Sequence, residues 1–379
     1  MDFNLNKKQT LARKLFAEFA LNEVQPLAQE VDENERFPEE TVVKMAKVGF
    51  MGIPVPVKYG GAGGDNLTYA MAVEELSKYC ATTGVIVSAH VSLACGPIEA
   101  FGTEEQKQKY LIPLAKGETL GAFGLTEPNA GSDSAMQQTV AEKVDGGYII
   151  NGTKIFITNG GYADTFIIFA MTDKTKGTRG ISAFILEKDT EGFTIGKTED
   201  KLGIKGSSTT ELIFKDVFLP DENLLGKEGQ GFKIAMNTLD GGRIGIAAQA
   251  LGIAQGALNE AIKYTKERKQ FGRSLSQFQN TQFKLAEIQT KVDAARLLTY
   301  RAACLKDEGK NYTKEAAMAK LYASDVAMES TRESMQLLGG YGYTREYPLE
   351  RMFRDAKITE IYEGTSEVQK MVIAGSILK

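Results

Sequence analysis

The spacing of apolar positions changes twice along the chain. From Met1 to about Gly117 it is helical. "LARKLFAEFALNEVQPLAQEV" repeats apolar residues at three and four, and Thr103 with Gln106 in "TEEQ" forms a capping box ahead of "YLIPLAKG". From about Glu118 to Pro220 the period falls to two. "TVAEKV", "YIINGTKIFIT", "TFIIFAM", "ISAFILE" and "TTELIFKDVFLP" are rich in β-branched and aromatic residues and are punctuated by Asp-Gly-Gly, Asn-Gly and Gly-Thr-Arg-Gly turns. They predict a compact antiparallel barrel or sandwich. The short spacing, with no helices between strands, argues against a parallel dinucleotide-binding sheet.

After Gly226 the helical spacing returns almost to the end. Leu285, Ile288, Val292 and Ala295 mark a narrow seam on one long helix, and two more long helices are expected at about 242–268 and 313–338. Long helices joined by short Gly-containing links pack as an antiparallel bundle, and such seams commonly also serve a subunit contact. The predicted fold class is therefore α+β. It has an N-terminal helical domain at 1–117, a β domain at 118–225 and a C-terminal antiparallel four-helix bundle at 226–379.

Composition narrows the function. With 42% hydrophobic and 25% charged residues the 379-residue chain is not a mostly disordered one. A net charge of −4, with basic and acidic residues interspersed, leaves no footprint for nucleic acid. The longest apolar runs, such as "TFIIFAM", fall far short of the ~20 residues of a membrane span. No basic-then-apolar leader opens the chain, so a cytoplasmic protein without a membrane partner is expected. Cys80, Cys95 and Cys304 lack the paired spacing of a metal site, and no metal is expected. His90 is the only histidine, so an HExxH site or a His base elsewhere is excluded by counting. In "VSAHVSLACG" it reads as a packed structural residue. Acid–base chemistry then falls mainly to carboxylates, Lys or Tyr.

Five stretches are candidates for chemistry. "KYGGAGGD" (58–65) lacks the spacing of a phosphate loop and reads as a tight turn. "QLLGGYGY" (336–343) is either a glycine cap on a long helix or a place where backbone amides approach a ligand. "GAFGLTEPNAGSD" (121–133) and "KIFITNGG" (154–161) together offer hydroxyls, amides and an aromatic ring of the kind that would cradle a planar heterocycle with a phosphate tail. Last, "KITEIYEGTSEVQ" (357–369) sets the carboxylate of Glu363 between Tyr362 and a Gly-Thr pair.

In their order and spacing these stretches, with "TLDGGRIGIAAQALGIAQGAL", "ERKQFGRSLSQFQ" and "MFRDAKITEIYEGTSE", resemble the flavin-dependent acyl-CoA dehydrogenases over essentially the whole chain. They are most similar to the short-chain, butyryl-CoA members of anaerobic bacteria. The resemblance implies FAD along Phe123, Leu125, Thr126, Ser132, Phe156, Ile157 and Thr158. It implies pyrophosphate and adenosine contacts from Arg268, Phe271, Gln279 and the Gln336, Leu337, Leu338, Gly339, Gly340 stretch across a subunit interface, with Thr365 and Glu367 also at the cofactor. Ser132, Asp240, Arg243 and Gly364 match positions near the acyl-CoA, and Glu363 matches the base that removes the α-proton while flavin N5 takes the β-hydride. A homotetramer, a dimer of dimers with FAD shared between chains, and an electron-transferring flavoprotein partner are implied in the same way.

Two departures from the family pattern stand out. Many members carry Trp where Phe156 stands. In the isovaleryl and long-chain branches the base sits just before the arginine matching Arg243, where this chain has Gly242. The implied activity is butyryl-CoA/crotonyl-CoA interconversion. The alternatives are another chain length or a branched substrate, an acyl-CoA oxidase, for which the chain is short, or a non-catalytic CoA-ligand binder.

Overall fold

The computed structural model describes residues 4–378, with one mixed sheet lying in chain order between two sets of helices that share a core. The strands are β1 (Gly121–Gly124), β2 (Val140–Val144), β3 (Gly147–Thr158), β4 (Thr165–Met171), β5 (Ile181–Glu187), β6 (Phe193–Thr198), β7 (Thr209–Pro220) and β8 (Leu224–Leu225). They run in the order β6-β7-β3-β2-β4-β5-β8, with β1 beside β4. Pairing is antiparallel as expected, except that β1 joins β4 in parallel and Val140 meets Met171 in parallel. The five strongest alternating runs all form strands. β1, β6 and β8 were not anticipated, because Gly-Ala-Phe-Gly has no β-branched residue, "FTIGKT" is interrupted by glycine and β8 is only two residues long. β4 is buried along its whole length, since one face meets "YLIPL" and the bundle while the other meets β3 and β7 side chains.

β3 carries the first irregularity with a functional bearing. Its pairing with β7 slips between Ile150 and Gly152 and again between Lys154 and Ile157, and Phe156 sits in that second bulge at φ +59°. A bulge re-aims one side chain. Here it turns Phe156 out of the sheet, leaving it 59% exposed.

The C-terminal helices are Gly231–Glu267, Gln279–Asp307 and Thr313–Leu338, followed by Leu349–Ile358 and Ser366–Ile377. The first begins eleven residues before the expected start near 242, spanning 37 residues in all, because the Gly241-Gly242 pair reads as a break but lies inside the helix. Glycines along this helix let the helix Asn66–Ser77 and its sequel approach closely. A Cβ at Gly245 would lie 2.4 Å from the Tyr69 hydroxyl, one at Gly252 2.4 Å from the Glu74 carbonyl oxygen, and one at Gly256 2.2 Å from that of Lys78.

The stretch Ala81–Phe101 departs from the expectation that apolar runs are short. By length and composition this 21-residue helix could cross a membrane, yet 78% of its apolar window is buried inside the protein. Its small residues (Ala, Thr, Ser, Gly) hide its apolar character from a search for large side chains. His90 on this helix is structural, as predicted. Its Nε2 lies 3.0 Å from the Leu114 carbonyl and its Nδ1 accepts the Gly121 amide at 3.0 Å. Burial pushes its pKa down to about 4, so the neutral ring joins three elements at any ordinary pH. The capping box at Thr103 and Gln106 forms with both hydrogen bonds. "KYGGAGGD" is a tight turn, with Gly60 at φ +81° and Gly63 at φ +62°.

The β domain is tied to the helix leading into the Glu363 turn. Asp355 accepts the Ile204 amide at 2.5 Å, while Arg354 binds Asp32 at 2.6 Å and the Leu202 carbonyl at 3.1 Å. Replacing Gly252 with Val should drive a side chain into the Glu74 backbone, with a loss of about 1–3 kcal/mol measurable as a lower denaturation midpoint. An unchanged midpoint would mean that the helices separate without cost.

Candidate active site

Two consecutive residues before the last helix have left-handed backbone: Glu363 at φ +52° and Gly364 at φ +93°. Glycine tolerates this conformation, whereas glutamate does so at a cost of roughly 1–2 kcal/mol. Buried donors hold the turn. Lys320 Nζ donates to the Gly364 carbonyl at 2.8 Å, and Gln369 Nε2 donates to the carbonyls of Glu363 at 3.1 Å and Gly364 at 2.8 Å. Thr365 then caps the final helix through the Val368 amide, and Glu367 stands exposed on its first turn.

The turn delivers the Glu363 carboxylate to the middle of the helix Gly231–Glu267. Residue 363 as a whole is only partly buried, but its Oε2 is closed to solvent and has no hydrogen-bond partner among the described residues. A Cβ added at Gly242 would stand 2.0 Å from that oxygen, so the absent side chain at 242 is what makes room for it. Glu363 and Gly242, the two positions that the resemblance matches to the base in different branches, thus meet in space. Burial raises the Glu363 pKa to about 7, with Lys320 and Arg243 restraining the rise. Tyr362, beside it, donates its hydroxyl to Gln249 Oε1, and Gln249 Nε2 reaches the Ala81 carbonyl at 2.9 Å.

Arg243 is close enough to act on this carboxylate. It pairs with Asp240 across one helical turn, and Thr313 Oγ1 donates to Asp240 at 2.6 Å. Arg243 Nε is buried without a partner.

Phe123, Leu125 and Thr126 lie on β1 and just after it, and Thr126 accepts the Ile155 amide at 2.9 Å through its carbonyl. Phe156, Ile157 and Thr158 end β3, so the two stretches adjoin; Ser132 lies exposed in the loop between β1 and β2. What fixes this loop is a buried ion pair that sequence reasoning overlooked. Lys154 Nζ binds the Leu125 carbonyl at 3.1 Å, Glu127 Oε1 at 2.7 Å and Gln137 Oε1 at 3.0 Å. Glu127 also accepts the amides of Gln138 and Thr139. Burial pushes Lys154 down to about 8 although Glu127 opposes it.

Of the remaining candidates, Arg268, Phe271, Gln279, Gln336, Gly339 and Gly340 are exposed, Leu337 is half-buried and Leu338 is buried. Arg268 precedes and Gln279 follows a hairpin, Lys269–Gln270 with Arg273–Ser274, whose tip residue Phe271 is 93% exposed at φ +52°. Gln336, Leu337 and Leu338 end the helix Thr313–Leu338, and Gly339 caps it at φ +62°. The capping alternative for this stretch is therefore realised. A Cβ at Gly339 or Gly340 would meet nothing within 4 Å, which leaves their backbone open to approach as well. The Arg268 guanidinium lies 6.0 Å from the Tyr341 ring, joining hairpin and helix end.

Models of the acyl-CoA dehydrogenase N-terminal, middle and C-terminal domains match residues 6–118, 122–217 and 229–378. A short-chain specific acyl-CoA dehydrogenase of Clostridium acetobutylicum is 65% identical over 379 residues, with both chains covered in full. The solved butyryl-CoA dehydrogenase of Megasphaera elsdenii is 56% identical with a TM-score of 0.99, again over the full length of both. A chain solved in work on the electron transferring flavoprotein of Acidaminococcus fermentans and flavin-based electron bifurcation is 58% identical, with a TM-score of 0.99 and full mutual coverage.

A carboxyl whose pKa is raised by folding stabilises the protein below its unfolded value of 4.5, and this contribution is lost as pH rises through about 7. Glu363→Gln should therefore melt above wild type at pH 8, and the gap should close as the pH falls below 4.5. A gap independent of pH would contradict a desolvated carboxylate.

Proposed function

The chain belongs to the acyl-CoA dehydrogenase family, and from that premise we propose that it interconverts butyryl-CoA and crotonyl-CoA with Glu363 as the base. The observation that carries this reading is the dry, unpartnered Oε2 of Glu363 on a left-handed turn against Gly242. An unpartnered buried carboxylate is destabilising for folding and suited to taking a proton.

The residues present fit FAD. Phe156 is turned outward by a bulge beside Thr158, Lys154 fastens Leu125 while the Ile155 amide holds Thr126, and Gly339 and Gly340 leave open backbone. Phe123, Leu125, Thr126, Ser132, Phe156, Ile157 and Thr158 would hold its ring and ribityl chain, with Thr365 and Glu367 at its far side. Arg268, Phe271, Gln279 and Gln336 to Gly340 would hold the pyrophosphate and adenosine of FAD shared with a neighbouring chain. An aromatic tip as exposed as Phe271 supports this, because such a side chain is ordinarily covered in an assembly. FAD, when bound, supplies the two-electron acceptor for the hydrogen leaving the β-carbon.

This chain's own work is to bind the thioester, exclude water and move one proton. Ser132, Asp240, Arg243 and Gly364 would line the acyl-CoA. Glu363, ionised above pH 7 or so, takes the α-proton at Oε2. Its raised pKa narrows the gap to a weakly acidic carbon. Its backbone N–H is offered to the thioester oxygen, where negative charge develops, and Gly364 lets amide and carboxylate serve one thioester together.

The same proposal takes 1–117, 118–225 and 226–379 as the three domains, a homotetramer as the assembly, an electron-transferring flavoprotein as electron partner and the cytoplasm as compartment. The Acidaminococcus likeness supports the partner.

Anaerobic mixing of the purified holoenzyme with butyryl-CoA should bleach the yellow flavin, and Glu363→Gln should slow bleaching by about 10²–10⁴-fold. Colour retained by the wild type at saturating substrate would sink the activity. A rate series from butyryl- to dodecanoyl-CoA should peak at the short end.

A further inference from the structure

Lys320 is a lysine where an alanine is expected. It lies on the helix Thr313–Leu338 in the buried series Ala316, Lys320, Ala323, Ala327, and its side chain is fully enclosed. Only one hydrogen bond is seen for its ammonium, and the acceptor is the carbonyl of Gly364, 2.8 Å away. An enclosed ammonium is expensive to keep. Its position gives it a use. Gly364 is the second residue of the left-handed turn, and the carboxylate of the first residue is the dry one at 363.

We propose that Lys320 is a positioning residue for the Glu363 carboxylate: it clamps the Gly364 carbonyl so that the turn cannot relax, and it sets a positive charge behind the base. This rests on the assignment of Glu363 as the base.

The charged and titratable groups around the pair come from several helices. Glu363 feels Lys320 and Arg243, and its own charge is felt by Tyr69 and Tyr362. Lys320 feels Glu363, Arg243, Glu360 and Asp325. Arg243 is already paired with Asp240, and Tyr69 donates to Ser88 Oγ at 3.2 Å. Lys320 is thus the cation near Glu363 that has no carboxylate of its own in contact. Burial pushes its pKa down to about 8, with Glu363 the first group acting against that fall. At neutral pH the ammonium is therefore still charged. Removing that charge leaves burial of Glu363 less opposed, so the pH at which the base ionises must rise.

Two variants separate clamp from charge. Lys320→Gln keeps an N–H donor without the charge, whereas Lys320→Met has neither. In holoenzyme, the rate of flavin reduction by butyryl-CoA is followed against pH, with bound FAD and melting temperature measured alongside. Both variants should move the acid limb upward by about one unit, a roughly tenfold loss at pH values below the limb. Lys320→Met should also lower the plateau, and Lys320→Gln, which keeps a donor, should lower it less. An unmoved limb, with nothing altered but melting temperature, would overturn the proposal and make Lys320 a structural residue. If Lys320→Met does not accumulate as holoenzyme, the limb of Lys320→Gln decides. Glu363→Gln is the control. If it reduces flavin at the wild-type rate, the base assignment has failed. If it is slow while the Lys320 limbs stay in place, only the positioning role has failed.

Discussion

The hydrogen bonds from Lys320 and Gln369 to the carbonyls of Glu363 and Gly364 hold a turn that the backbone alone would not favour. Without them the glutamate would tend to leave the left-handed region, and the carboxylate would leave its place against Gly242. The surrounding architecture serves this small feature. Glycines at 242, 245, 252 and 256 let the helix Gly231–Glu267 sit close to its neighbours, so the carboxylate is enclosed by helices rather than by loops. Asp355 and Arg354 tie the segment leading into the turn to the β domain.

The two halves of the site are built differently. Around Glu363 the side chains are buried and interlocked, which suits a group whose proton affinity depends on dryness. The residues proposed to face the flavin sit on irregular backbone: a bulge at Phe156, a loop fastened by Lys154, and a hairpin tip at Phe271. Irregular backbone can present amides and aromatic faces that regular strands and helices keep engaged. The Lys154–Glu127 pair lets such a loop stay in one shape, because each partner would be costly to bury alone.

Much of this was legible from pattern. Alternation marks five strands, three-and-four spacing marks the bundle, and the single histidine leaves acid–base chemistry to carboxylates, Lys or Tyr, among which the family resemblance singles out Glu363. The start of the helix at 231 was missed because Gly241-Gly242 looks like a break, and only packing shows that these glycines make room for a carboxylate. Lys154 and Lys320 were missed although each leaves a trace: a lysine at an inward position of an alternating strand, and a lysine in an alanine series on a helix face. What each lysine touches could not be read locally, since Leu125 and Gly364 are brought to them by tertiary contact.

The central claim is that the carboxyl at 363 is held dry enough to titrate near neutrality. Isotope-edited infrared titration of the holoenzyme, with Glu363→Gln subtracted to isolate that one group, measures this directly. Its carboxylate band should grow in around pH 7. A midpoint near the ordinary value of 4.5 would show a solvated acid and contradict it.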